Sequence, residues 1–529
     1  MPITVGNSTV NTSVANSTVT VDQTQSWFYT TSNRNSIRPS LLLAFARSQT
    51  VDPRVVLTRA SSATYINSIG NLVTTGNNVA RIDYNFSTGV SNGLLIEQSS
   101  TNLIRNNTMV GAVVTANVAA QTINSITFSG TTATVTTAVA HGLAAYAQIV
   151  TVTGAAPTDY NLTQQVSGTP TTTSFTYTMA TTPATNATVV GSYTAVTVGS
   201  TPTQWATFAS NIPYTIVNKG TINGLSFIDY RFFGLTIAAL GLYSVIAMDY
   251  VSTIAVSAGV SHTVGFYCAL VAGSTTGVTV VAIDNRYDVG GTKDLNILSQ
   301  LTSTLQRFNY TTTPPTGATT LTPAFALNYT GNTQVDITLR FAMPQCEILP
   351  FATSVISTAG AAATRAADDA VISGPNFSSV YNPYQGTVLF QGAMYATTTD
   401  ATSRVLWGTS DGTSNNAQYV SRVSNAGTLN MQETVSNVTS SLTTNNSINA
   451  NVVFLTSSYY SQPTTYGIVL NGSNLTSTSS GNVQTATQTQ LVLGNAPYSG
   501  ATNYINGWIN RIAYYPTALS NSELITLTS

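Results

Sequence analysis

The densest chemistry in the sequence is Asp284-Asn285-Arg286-Tyr287-Asp288, where acid, base, amide and ring stand together. Hydrolysis of a glycosidic bond ordinarily takes two carboxyl groups flanking that bond, roughly 5–10 Å apart depending on mechanism. Asp284 and Asp288 lie at an even offset and share a face if the segment is extended. Gly290-Gly291 just beyond favours a loop at the end of a sandwich instead. Asp229 and Asp249 are the other candidate carboxylates of the central domain. A polysaccharide depolymerase is therefore the enzymatic hypothesis, but it ranks third, and no catalytic residue is assigned.

Aromatic rings offer a second chemistry, because a ring face stacks on a pyranose while neutral polar groups bond its hydroxyls. Tyr381, Tyr384, Tyr459, Tyr460, Tyr466 and Tyr498 fall in or near turn-rich stretches. Of these, Tyr381, Tyr384, Tyr459, Tyr460 and Tyr498 are the glycan-contact candidates. Trp508, inside a Gly-Trp-Ile strand motif, reads as core. His141 and His262 with Cys268 and Cys346 make no convincing zinc set. His141 reads as a turn residue and the cysteines as buried thiols. Asp411 opens a turn with too few carboxylates for calcium. No metal or cofactor is expected.

Arg38, Asp52, Arg54, Arg59, Arg81 and Asp83 cluster in one segment with nothing nucleophilic beside them. Arginine forks pair bidentately with carboxylates, so we expect an ion network that fixes this segment.

The elements that position these residues read as β-strands. Only 7% of the 529 residues are charged, against 43% hydrophobic. Ser, Thr and Asn make up roughly a third, far above ordinary usage. Residues 132–137, 174–179 and 336–341 alternate apolar and polar, the period of a half-buried strand. Ser520-Asn521-Ser522-Glu523 is a capping box for one short helix. The fold class is all-β, a multidomain β-sandwich or jelly-roll protein with an extended N-terminal segment. The net charge of −1 gives no footprint for nucleic acid. No apolar run is long enough for a membrane span. The opening residues lack the basic and apolar regions of a secretory signal.

Composition shifts divide the chain. Residues 1–35 repeat Asn-Ser-Thr-Val at 7 and 16 and cannot bury a core alone. They either stay without fixed structure or add strands to another chain. Residues 36–119 form a lead-in segment and the first part of a jelly roll. A small β domain is inserted at 120–195, and 196–358 completes the jelly roll. Residues 359–374 are Ala-rich and read as a linker, and 375–529 form a last β block.

Three sets of motifs carry a resemblance. One runs through Arg59 to Tyr65, Arg81-Ile82-Asp83-Tyr84, Gly93 to Glu97, Leu305 to Phe308, Arg340 to Glu347, Phe351 to Ser354 and Thr364 to Asp368. The second is His141-Gly142-Leu143 with Val152 to Ala155 and Ser174 to Thr178. The third closes with Tyr504 to Ile509, Arg511 to Tyr515 and Leu519 to Leu524. Together they resemble modular virion proteins of tailed bacteriophages, the head-spike and tail-fibre family. That resemblance implies a carbohydrate-binding-module-like jelly roll, an inserted immunoglobulin-like module and a C-terminal laminin-G or concanavalin-like domain. It also implies a non-enzymatic structural subunit on the virion surface, a homotrimer, docked on other virion proteins through residues 1–35. Host-surface attachment follows as its role, and a glycan-binding adhesin acting through the C-terminal domain is the alternative. Enzymatic spikes of such phages are commonly long β-helices, and no sustained coil repeat is present here.

Overall fold

The computed structural model describes residues 38–529 except 145–147, 239–240, 251–253, 396–399, 463–464, 474–475 and 479–487. It also describes the backbone of Ile3–Val5 and Ser8–Val10, which pair as a hairpin with Ile3 opposite Val10. The rest of 1–35, including the second Asn-Ser-Thr-Val copy, lies outside the described residues.

Strands dominate, so the protein is an all-β, multidomain chain. Three hydrophobic cores organise it. The first belongs to the insert, where six strands run in the order Thr163–Gln165, Gln148–Ala156, Val189–Thr197, Asn117–Ser129, Thr132–Thr137 and Ser174–Thr178. The Thr-rich alternation of Thr132–Thr137 places Ala133, Val135 and Thr137 inward and Thr132, Thr134 and Thr136 outward. That is the expected use of a period of two.

The second core lies in the central sandwich. One sheet orders Tyr214–Ile222, Leu225–Leu235, Gln334–Glu347, His262–Gly273 and Gln306–Thr312. The facing sheet orders Ala206–Ser210, Tyr243–Ala247, Thr320–Tyr329, Val278–Tyr287 and Thr292–Asn296. Phe325 and Phe341 stack between them at 3.7 Å. The hairpin turn at Asn223-Gly224 has positive φ at both residues, as a tight two-residue turn requires. Its tip docks on the lead-in segment: Leu72 N–H donates to the Asn223 carbonyl at 2.8 Å. A Cβ on Gly224 would stand 2.0 Å from the Leu72 carbonyl oxygen, so the close approach requires glycine.

The third core is the C-terminal sandwich, and here the structure corrects the sequence-based division. Residues 375–529 do not close a sandwich alone. The lead-in strands complete it: Leu41–Leu43 and Ser91–Ile96 pair with Gly507–Tyr515, and Val56–Thr58 pairs with Asp369–Ser373. The reason is apolar. Leu41, Leu43, Leu94 and Ile96 are buried with Ile509 and Ile512 in one cluster. Residues 359–374 are likewise no linker. Ala363–Arg365 pairs with Ser100–Asn102, and Asp369–Ser373 runs inside the seven-stranded sheet between Gln490–Leu493 and Val56–Thr58. The closing helix, Asn521–Thr528, has the expected capping box and buries Leu524 and Leu527. Among the described residues no helix is long and apolar enough to cross a membrane.

Candidate functional site

The lead-in segment is clamped by charge. Arg59 and Arg81 both pair with Asp368, Arg59 at 2.8 Å, and all three side chains are fully buried. Arg81 also reaches Glu97 at 2.8 Å, and Arg365 stands 3.4 Å from the same carboxylate. Ser354 donates its N–H and hydroxyl to Glu97, at 2.7 and 2.6 Å. Next to it, Thr353 donates its N–H to a third buried carboxylate, Glu347. Three arginines thus share two carboxylates, Glu97 and Asp368, while Glu347 accepts only neutral donors. Burial alone would push the Glu97 carboxyl up, but Arg365, Arg81 and Ser354 outweigh it and hold it at about 2. Of the charges expected in this network, Arg54 and Asp52 instead pair locally at 2.7 Å. Among the described residues Asp83 joins no ion pair. It accepts the Ile66 N–H at 2.8 Å, the Asn92 amide at 3.1 Å and the Trp508 indole N–H at 2.8 Å.

Beside the clamp, meeting it at Ser354, lies a groove of about 530 Å³. Tyr65, Asp83, Tyr84, Phe86 and Asn92 come from the lead-in segment. Tyr267, Gln306, Arg307 and Asn309 come from the central sandwich, Phe351 and Ser354 from the segment after it, and Tyr395, Asn451 and Trp508 from the C-terminal sandwich. The rings touch in two groups. Phe86 lies 5.4 Å from Tyr267, and Tyr395 meets Trp508 edge-on at 4.9 Å and Phe351 at 5.9 Å. Amides and hydroxyls fill the spaces between rings. Such a mixture of apolar faces and fixed polar groups suits a sugar. Of the lining residues only Asp83 and Arg307 are charged, so the groove holds one carboxylate and not the pair that glycoside hydrolysis ordinarily takes.

The tyrosines proposed from sequence fare differently. Tyr460 is 3% exposed, and its hydroxyl donates to the Asn382 carbonyl at 2.6 Å. Tyr381 stacks on Phe377 at 4.6 Å and also lies against Tyr460 and Tyr514. Tyr459 packs against the buried cluster around Leu524, and Tyr498 is partly buried. Tyr384 alone of the five is open, at 73% exposure. These residues do not converge on one surface: Tyr459 and Tyr460 stand on the strand Phe454–Ser461, and Tyr381 and Tyr460 turn into the core. Trp508, read as core, instead presents its indole to the groove. The signal that would have found the groove was the motif set itself. Tyr65, Asp83, Tyr84, Gln306, Arg307, Phe351, Ser354 and Trp508 all belong to the motif segments described in the sequence.

The carboxylates weighed for catalysis are engaged elsewhere. Asp229 accepts both forks of Arg340 at 2.8 Å, and Asp249 accepts Arg105. Asp288 is held at about 2 by the hydroxyl and N–H of Thr319. Asp284 is buried on a strand, bonded to Arg286 at 2.7 Å and opposite Asp294 on the neighbouring strand. Burial pushes its carboxyl up to about 7; Arg286 opposes this and Asp294 adds to it. Neither Asp284 nor Asp288 lines the groove. The raised value predicts a stability effect. With its ordinary value at 3.8, Asp284 costs stability increasingly as pH rises from about 4 to about 7. Asp284→Asn is expected to gain up to about 4 kcal/mol at pH 8 and nothing at pH 4, read from denaturant midpoints at the two pH values.

His141 and His262 are buried turn and strand residues. His141 Nδ1 accepts the Leu143 N–H at 2.9 Å. Cys268 and Cys346 are buried free thiols, and burial pushes both up. Asp411 accepts from Thr413 and Asn416 within its turn. No group of three or more potential metal ligands exists among the described residues.

No protein-family model and no curated protein matches the chain. Several solved structures are similar in part. The carbohydrate-binding module CBM40 of the Ruminococcus gnavus IT-sialidase is 21% identical, with 29% of this chain and 88% of that one covered at a TM-score of 0.25. The SAP-like pentraxin of Limulus polyphemus is 17% identical over 27% and 70%, at 0.21. Trypanosoma rangeli sialidase is 9% identical over 93% and 97%, at 0.24. At these scores the likeness extends no further than β-rich architecture, which the sheets establish independently.

Proposed function

We propose that the chain is a non-enzymatic glycan-binding protein of a tailed-phage virion, a fibre, spike or decoration subunit that aids attachment to the host surface. The observation that carries the glycan reading is the groove, with its aromatic walls, its amides and its single carboxylate. The virion assignment rests on the phage-like motifs, whose residues meet in the groove and in the charge clamp behind it. Homotrimeric assembly and docking through residues 1–35 belong to the same proposal. A trimer supplies neighbouring chains as strand partners for residues 1–35.

A glycan array with the full chain tests the binding. We expect retention of a host-surface glycan, and a roughly tenfold weaker interaction for Phe86→Ala, corresponding to about 1.4 kcal/mol for a lost stacking ring. Binding that survives Phe86→Ala, Tyr65→Ala and Tyr395→Ala unchanged would place the ligand elsewhere. Light scattering of the purified chain checks the trimer, and a monomer at micromolar concentration would contradict it.

A further inference from the structure

The two charges in the groove are not equivalent. Both oxygens of Asp83 are taken by Ile66, Asn92 and Trp508. Arg307 has the opposite character. A guanidinium carries five N–H donors. The protein accepts one of them, from Nη1 to the Thr353 carbonyl at 2.7 Å. Nη2 is enclosed and has no acceptor. Arg54, Arg59, Arg81, Arg105, Arg231, Arg286, Arg340, Arg365, Arg404 and Arg422 each have a carboxylate within 4.0 Å. Arg307 has none among the described residues. Its guanidinium instead lies 5.9 Å from the ring centre of Tyr267. It is held in place, partly exposed, on a strand whose Gln306 and Asn309 also line the groove.

We infer that the groove takes a carboxylated glycan, with the sugar carboxylate on Arg307. The inference rests on the groove being a glycan site. A planar carboxylate matches the guanidinium fork, which a sugar hydroxyl does not. It supplies the acceptor that Nη2 lacks, after a small turn of the side chain toward the groove. Low dielectric between aromatic walls strengthens the pairing relative to open solvent.

The test is the affinity of the full chain for matched pairs: oligogalacturonate against its methyl ester, and sialyllactose against lactose. The first pair probes a uronic acid and the second a nonulosonic acid. We expect the acidic member of one pair to bind at least tenfold more tightly than its neutral partner. That advantage should shrink between 50 and 500 mM salt and vanish in Arg307→Gln, while Phe86→Ala weakens both members alike. Equal affinity within both pairs overturns the inference and leaves the groove a glycan site. No binding of any member, or of any glycan on a broad array, overturns the groove reading itself. If Arg307→Gln fails to fold, the pairs and the salt series on the unaltered chain decide.

Discussion

Replacing Asp368 by Asn is expected to destabilise the C-terminal sandwich by about 3–5 kcal/mol, the range found when one partner of a buried ion pair is removed. The side chain keeps its shape, so the loss is electrostatic rather than a cavity. Asp368 alone neutralises Arg59 and shares Arg81 with Glu97, all without solvent access. It also accepts the Glu97 N–H at 3.0 Å. Removing its charge strands a buried guanidinium, whereas the pair itself adds little beyond what a well-packed apolar core would give. The chain has several cores, so the effect should be read from the calorimetric transition that shifts, not from one midpoint. Asp52→Asn is the control. Its pair with Arg54 is partly exposed, and its loss should cost under about 1 kcal/mol.

Acid should act on the same clamp. Glu97 has an ordinary value of 4.5 and is held at about 2 in the folded chain. A carboxyl lowered by folding stabilises the native state fully above its unfolded value. That contribution is lost as pH falls from about 4.5 to about 2. The shift corresponds to about 3 kcal/mol at most, withdrawn across that window. Glu97→Gln should be less stable than the unaltered chain at pH 7 and should lose much less between pH 4.5 and 2. Thermal unfolding measured at half-unit pH steps checks this. Parallel pH profiles for the two proteins would contradict it.

Much of the architecture was legible because its signals are local. Alternation at 132–137 and 174–179 gives strands, and Ser520 with Glu523 gives the closing helix. The structural role of the charged segment was legible too, since arginines without nucleophiles point to ion pairing. What the sequence could not show was which sheet each strand joins. Leu94 and Ile96 suit either sandwich, and the choice is made by contact with Ile509 and Ile512, more than four hundred residues away. The same limit hid the site. Tyr460 and Trp508 both stand in strands near turns, yet one faces the core and the other a groove. Side-chain direction along a strand flips with each residue, so burial depends on a register that composition does not reveal. Arg307 was visible only as part of a motif. Its lack of a carboxylate becomes apparent once ten other arginines are seen paired.

The account depends on the aromatic groove between lead-in segment, central sandwich and C-terminal sandwich being where a glycan sits. A structure of the full chain with a bound oligosaccharide tests this most directly. The account predicts sugar density between Phe86 and Trp508, with a carboxylate on Arg307. Well-ordered sugar on the open face around Tyr384 or along Asp284 and Asp288, with the groove left empty, would contradict it.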